Sequence, residues 1–88
     1  EWREDPGPAA RLAETWWLGL RLAAGVEPER ARRTAGFDGA TDPTEPVRDE
    51  LLGQGMLEAR EDGHVALTAR GLPLADAVAA RFLRAADA

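Results

Sequence analysis

From Pro8 to Ala24 apolar residues recur at helical spacing with no internal proline, and Gly25 stands where a left-handed residue would end a helix. At 100° per residue, with Trp16 at zero, Leu12, Ala13, Trp16, Trp17, Leu20, Ala23 and Ala24 fill one arc, which is the expected core face. Leu18 and Leu22 fall on the far side at about 200° and 240°, and Glu14 and Arg21 mark a narrow polar seam. A second, shorter helix is predicted over Pro28 to Ala35, with proline in its first turn and Gly36 as its stop. After the turn-rich "GFDGATDP" a third helix follows, bearing Val47, Leu51 and Leu52 and ending at Gly55. Thr44 is its expected cap, because Asp42 would set Pro46 one position too deep.

The period then changes from helical to alternating. "MLEAR" and "HVALT" predict two short strands around "EDG", whose Asp62-Gly63 pair is a strong hairpin signal. Leu57 and Ala59 share a face of the first strand, Val65 and Leu67 a face of the second. Thr68 is expected to cap a last helix running to about Ala86, with Leu72, Ala75, Val78, Ala79, Phe82 and Leu83 as its packing stripe and Pro73 distorting its first turn. Three helices, a hairpin and a C-terminal helix predict an α+β fold of the winged helix-turn-helix type, occupying residues 8–88. Residues 1–7 read as a linker or leader in which Trp2 would be ordered only by docking.

Composition narrows the chemistry. The 88 residues suffice for one domain with its own core. With no cysteine and a single histidine, thiol catalysis, cluster ligation and the usual zinc sets are excluded, so no metal site is expected. All 11 basic residues are arginine, a coding bias without functional content. The chain begins at Glu1 without an initiator methionine, a secretory signal or a long apolar run, which predicts a piece of a longer cytoplasmic protein with no membrane partner.

A winged helix raises the alternative of a transcriptional regulator's DNA-binding domain. The formal net charge of −5 opposes it, as does the third helix, which sets Arg48 against Glu45, Asp49 and Glu50. The wing turn from Arg60 to His64 is no more basic. Arg30, Arg32 and Arg33 form the one basic cluster, interleaved with Glu27 and Glu29, and read as a solvated helix face. His64 beside a hairpin glycine reads as a surface strand residue rather than a haem ligand. The adjacent carboxylates Asp49-Glu50 and Glu61-Asp62 point apart, so no catalytic constellation is expected.

Two accounts of the far-side leucines stay open. Leu18 and Leu22 either pack beneath the last helix or belong to a docking surface. Glu14, Leu18, Arg21 and Leu22 are therefore the candidate interdomain contact, in which Glu14 and Arg21, two turns apart, need a further group to complete their pairing.

The segment Glu14 to Val26, "ETWWLGLRLAAGV", resembles the "E-x-x-x-L-G-L-R-L-x-x-G-V" signature in the C-terminal domain of oxygen-independent coproporphyrinogen III oxidases and their haem-chaperone relatives. "LLGQGMLEAR" is similar to that domain's helix-to-strand passage, and "VALTARGLPLADAVAARFL" to its "LT-x-x-G" segment and final helix, so the resemblance spans about residues 14–83. The matching signature positions are Glu14, Leu18, Gly19, Leu20, Arg21, Leu22 and Gly25. "TWW" stands where aliphatic or methionine residues are commoner. The resemblance implies a radical S-adenosylmethionine parent whose separate N-terminal domain holds a [4Fe-4S] cluster through three cysteines and uses that cluster to cleave S-adenosylmethionine. It implies for this chain a non-catalytic accessory domain packed on that partner, with no cofactor of its own. The parent would serve porphyrin and haem metabolism as a coproporphyrinogen III dehydrogenase or as a haem-handling protein.

Overall fold

A computed structural model describes residues 7–39 and 41–87; the predicted leader, including Trp2, lies mostly outside them. The described chain is α+β. It contains α1 (Pro8–Gly19), α2 (Pro28–Ala35), α3 (Thr44–Gly53), the antiparallel strands β1 (Leu57–Ala59) and β2 (Val65–Leu67), a 3₁₀ turn over Leu72–Leu74, and α4 (Ala75–Asp87). In the hairpin, Leu57 opposes Leu67 and Ala59 opposes Val65.

The centre of the core lies where α1 meets α4. Trp16 and Phe82, both fully buried, stack with centroids 4.7 Å apart and planes within 6°. That separation falls in the range of favourable aromatic pairs, worth about 0.5–1.5 kcal/mol beyond their burial. Leu12 and Val78 pack into the same cluster, and Leu51 and Leu57 bring in α3 and β1. Arg11 Nε donates to the Ala35 carbonyl at 3.1 Å and ties α1 to the end of α2.

Helix α1 stops at Gly19, not at Ala24 as the periodicity predicts. The reason is a distant pairing: the Val26 N–H donates to the Val65 carbonyl at 2.8 Å and the Val65 N–H donates back at 2.7 Å. Residues 20–24 therefore form a string of turns that returns the chain to the hairpin. Gly19 permits the return, since a Cβ there would lie 2.5 Å from Val26 Cγ2. Gly25 completes it at φ 78°, with the Val65 carbonyl oxygen 2.3 Å from where its own Cβ would be. Ala23 and Ala24 are consequently exposed instead of lying on the core face, and Trp17 is half-buried.

Two other expectations change. Thr44 is the first residue of α3 and not its cap. Buried Asp42 does the capping, its Oδ1 accepting from the Thr44 N–H at 2.8 Å and from Thr44 Oγ1 at 2.6 Å. Thr68 does not cap the last helix: its Oγ1 accepts from the Gly71 N–H at 3.0 Å in a local turn, and a 3₁₀ turn containing Pro73 intervenes before α4 begins. Leu72, assigned by periodicity to the core stripe, is 64% exposed as a result.

Candidate docking surface

Leu22 sits on the turn beyond α1 and Leu72 on the 3₁₀ turn before α4; each is 64% exposed. They line one groove of about 320 Å³, together with Leu20, Ala23, Ala66 and Leu67. Leu20 and Ala66 are buried and form its floor. Arg21 and Arg60 complete its lining. Contiguous apolar side chains open to solvent on both walls make this groove the candidate docking surface.

The two arginines are held in place. The Arg21 guanidinium lies 4.5 Å from the centre of the Trp17 ring, and its Nη1 donates to Asp76 Oδ1 at 2.8 Å. Asp76 is thus the further group that Arg21 requires, supplied by α4 of the same chain. Arg60 reaches from the end of β1 across to the turn, donating from Nη1 to the Ala23 carbonyl at 2.9 Å and from Nε to Glu58 at 3.2 Å.

Of the four residues that sequence reasoning groups as an interdomain contact, the structure brings Arg21 and Leu22 to this groove and leaves Glu14 and Leu18 outside its lining. Leu18 is 57% exposed, so neither far-side leucine packs beneath α4. Glu14 is exposed and forms no ion pair among the described residues. Leu72 and Arg60 are the members that sequence reasoning missed. The signal for Leu72 was Pro73, whose ring ends the assumption of one continuous helix on which the stripe was drawn.

The other candidate chemistries are also placed. On α3, Arg48 approaches Glu45 at 3.3 Å and Asp49 at 3.6 Å, and the one cation of that helix is outnumbered by its carboxylates Glu45, Asp49 and Glu50. In the α2 cluster, Arg32 pairs with Glu29 at 2.6 Å and approaches Asp42 at 3.5 Å, while Arg30 and Arg33 form no ion pair among the described residues. His64 Nδ1 is buried 3.2 Å from Asp62 Oδ1 without the alignment of a hydrogen bond. The His64 backbone N–H, donating to Asp62 Oδ1 at 3.0 Å, is the main reason the Asp62 carboxyl titrates below its usual range. Among the described residues no three His, Asp or Glu side chains gather as metal ligands, and no helix is long and apolar enough to cross a membrane.

Comparison with known protein families, curated proteins and solved structures finds no match to this chain.

Proposed function

We propose that this chain is a winged-helix docking domain, without catalysis of its own, that packs through the Leu22–Leu72 groove against a separate domain of the same cytoplasmic polypeptide. The observation that carries the proposal is the pair of leucines left open across a groove built partly from the "LGLRLAAGV" segment. Complete burial of a leucine is worth about 1.5–3 kcal/mol, so covering both largely exposed side chains supplies roughly 2–4 kcal/mol of association free energy. The winged-helix reading is supported by the element order and by the Val26–Val65 bridge, which adds a third strand position to the hairpin.

The resemblance of residues 14–83 supplies the partner: a radical S-adenosylmethionine domain that holds a [4Fe-4S] cluster, in a protein of porphyrin metabolism. In this reading Gly19 and Gly25 of the signature serve the return of the chain to the hairpin, and Arg21 and Leu22 serve the contact. Redox and radical chemistry belong to the partner domain.

Hydrogen–deuterium exchange on the isolated chain and on the longer polypeptide tests this directly. Residues 20–23 and 70–74 are expected to gain protection in the longer protein, and a three-cysteine cluster motif is expected upstream of Glu1. Unchanged exchange at both segments overturns the docking reading. Micromolar binding of duplex DNA at low salt, measured by fluorescence anisotropy and lost steeply on adding salt, would replace it with the DNA-binding alternative.

A further inference from the structure

We infer that the groove takes an amphipathic helix of the partner whose apolar side chains, one turn apart, are flanked by carboxylates. This inference rests on the docking reading and specifies its partner.

The chemistry of the lining leads there. Both charged residues that face the groove are arginines, in a chain whose formal net charge is −5. Asp76 and Glu58, which pair with them, do not line it. Each guanidinium keeps unused donors: Arg21 commits Nη1 alone, and Arg60 commits Nε and Nη1. Stacking on Trp17 and the bond to the Ala23 carbonyl hold the two planes in position, so less side-chain freedom is lost when a carboxylate arrives.

The lining also argues for a helix over an added strand. Val65 already exchanges both of its backbone hydrogen bonds with Val26, which leaves only Leu67 of β2 on that edge, too short a stretch to pair with an added strand, and the Ala23 carbonyl is occupied by Arg60. An occupant therefore gains chiefly by inserting side chains, and a helix delivers them in pairs at i and i+4, about 5–6 Å apart. At about 320 Å³ the space is small, near the lower end of ordinary ligand pockets of about 300–1,000 Å³, and suits a few inserted side chains.

The test uses two fluorescein-labelled peptides of about 15 residues, long enough for partial helicity. One carries leucines along a single face with glutamates beside them; the other has the same leucines with every glutamate replaced by lysine. Anisotropy titration of the chain is expected to show the glutamate peptide binding about fivefold or more tightly than the lysine peptide, with the difference shrinking at about 0.3 M salt as screening sets in. The double variant Leu22→Ser/Leu72→Ser, its folding verified by circular dichroism, is expected to lose binding of both peptides. Equal affinities, or preference for the lysine peptide, overturn the acidic-partner inference; if the double variant still loses binding, docking in the groove survives that result. No binding of either peptide up to about 1 mM also overturns the inference, and the docking reading is then decided by exchange protection in the longer protein.

Discussion

Replacing Gly25 with alanine separates backbone strain from collision, because Gly63 provides a matched control. Both glycines have positive φ, 78° and 90°, but a Cβ at Gly63 would meet nothing within 4 Å. At Gly25 it would meet the Val65 carbonyl oxygen at 2.3 Å and the Ala66 Cβ at 2.8 Å. The left-handed conformation costs alanine about 1–2 kcal/mol, partly offset by about 0.4–1 kcal/mol from restricting the unfolded chain, so Gly63→Ala should destabilise by about 0.5–1 kcal/mol. Gly25→Ala carries that cost and must also displace Val65, whose two hydrogen bonds with Val26 are worth about 0.5–1.5 kcal/mol each. Val26 and Val65 are both core residues, so the displacement also opens apolar surface. The expected total is about 3–4 kcal/mol, a fall in midpoint of about 12 °C or more for a domain of this size. Urea unfolding followed by the fluorescence of buried Trp16 measures both variants. If Gly25→Ala lies within about 0.5 kcal/mol of Gly63→Ala, the Val26–Val65 pairing does not set the path of residues 20–25.

Asp42→Ala should destabilise by about 2 kcal/mol in the same assay, since it leaves the buried Thr44 N–H and hydroxyl without their acceptor; Asp42→Asn, which keeps an acceptor oxygen, should recover most of the loss. Gly53→Ala, at the end of α3 with open space around the new Cβ, should stabilise by up to about 1 kcal/mol. Asp62 has its carboxyl pKa lowered from 3.8, chiefly by the His64 backbone N–H, so its stabilising contribution is present above that value and is lost as pH falls through the lower folded-state pKa. Carboxyl-carbon NMR should find the Asp62 midpoint below the ordinary aspartate value of 3.8, and a midpoint at or above that value would refute the assigned cause.

How far the fold is legible in the sequence depends on whether local or distant contacts decide each feature. The hairpin's place in the chain, the bounds of α2 and the burial of Leu12, Trp16, Val78 and Phe82 all follow from nearest neighbours and period, and the structure agrees with them. The alternation expected within the strands does not hold, since Ala59 is exposed although Leu57 is buried, and the adjacent Val65 and Ala66 are both buried. The end of α1 does not, because the pairing that truncates it lies across the chain in β2. Helical projection treats Leu18 and Leu22 as neighbours on one far-side stripe, yet the helix ends between them. Leu18 remains on α1, whereas Leu22 is carried on the turn to the groove it shares with Leu72. The cap of α3 misleads for a related reason. Sequence spacing weighs Pro46 against Asp42, but burial decides the matter, since an enclosed carboxylate serves the first N–H of the helix, the Thr44 hydroxyl and the approach of Arg32 at once.

The same logic explains why the proposed docking surface could be only half seen. Arg21 and Leu22 were visible as polar and apolar residues with no place on the core arc of a helix, which is a local inconsistency that sequence alone reveals. Leu72 was hidden because it fits the stripe of α4 if Pro73 is merely a distortion, and Arg60 because its partner is a backbone carbonyl on a distant turn. Each half alone is a pair of exposed side chains on a small domain, which would be ordinary. The 20–24 turn, the hairpin and the 3₁₀ turn bring them together, and the pairing of Val26 with Val65 fixes that turn against the hairpin. The groove is therefore coupled to the strand bridge. A substitution that breaks the bridge, such as Gly25→Ala, should weaken docking although Gly25 does not line the groove, and Leu22→Ser should weaken docking with stability changed by less than about 0.5 kcal/mol.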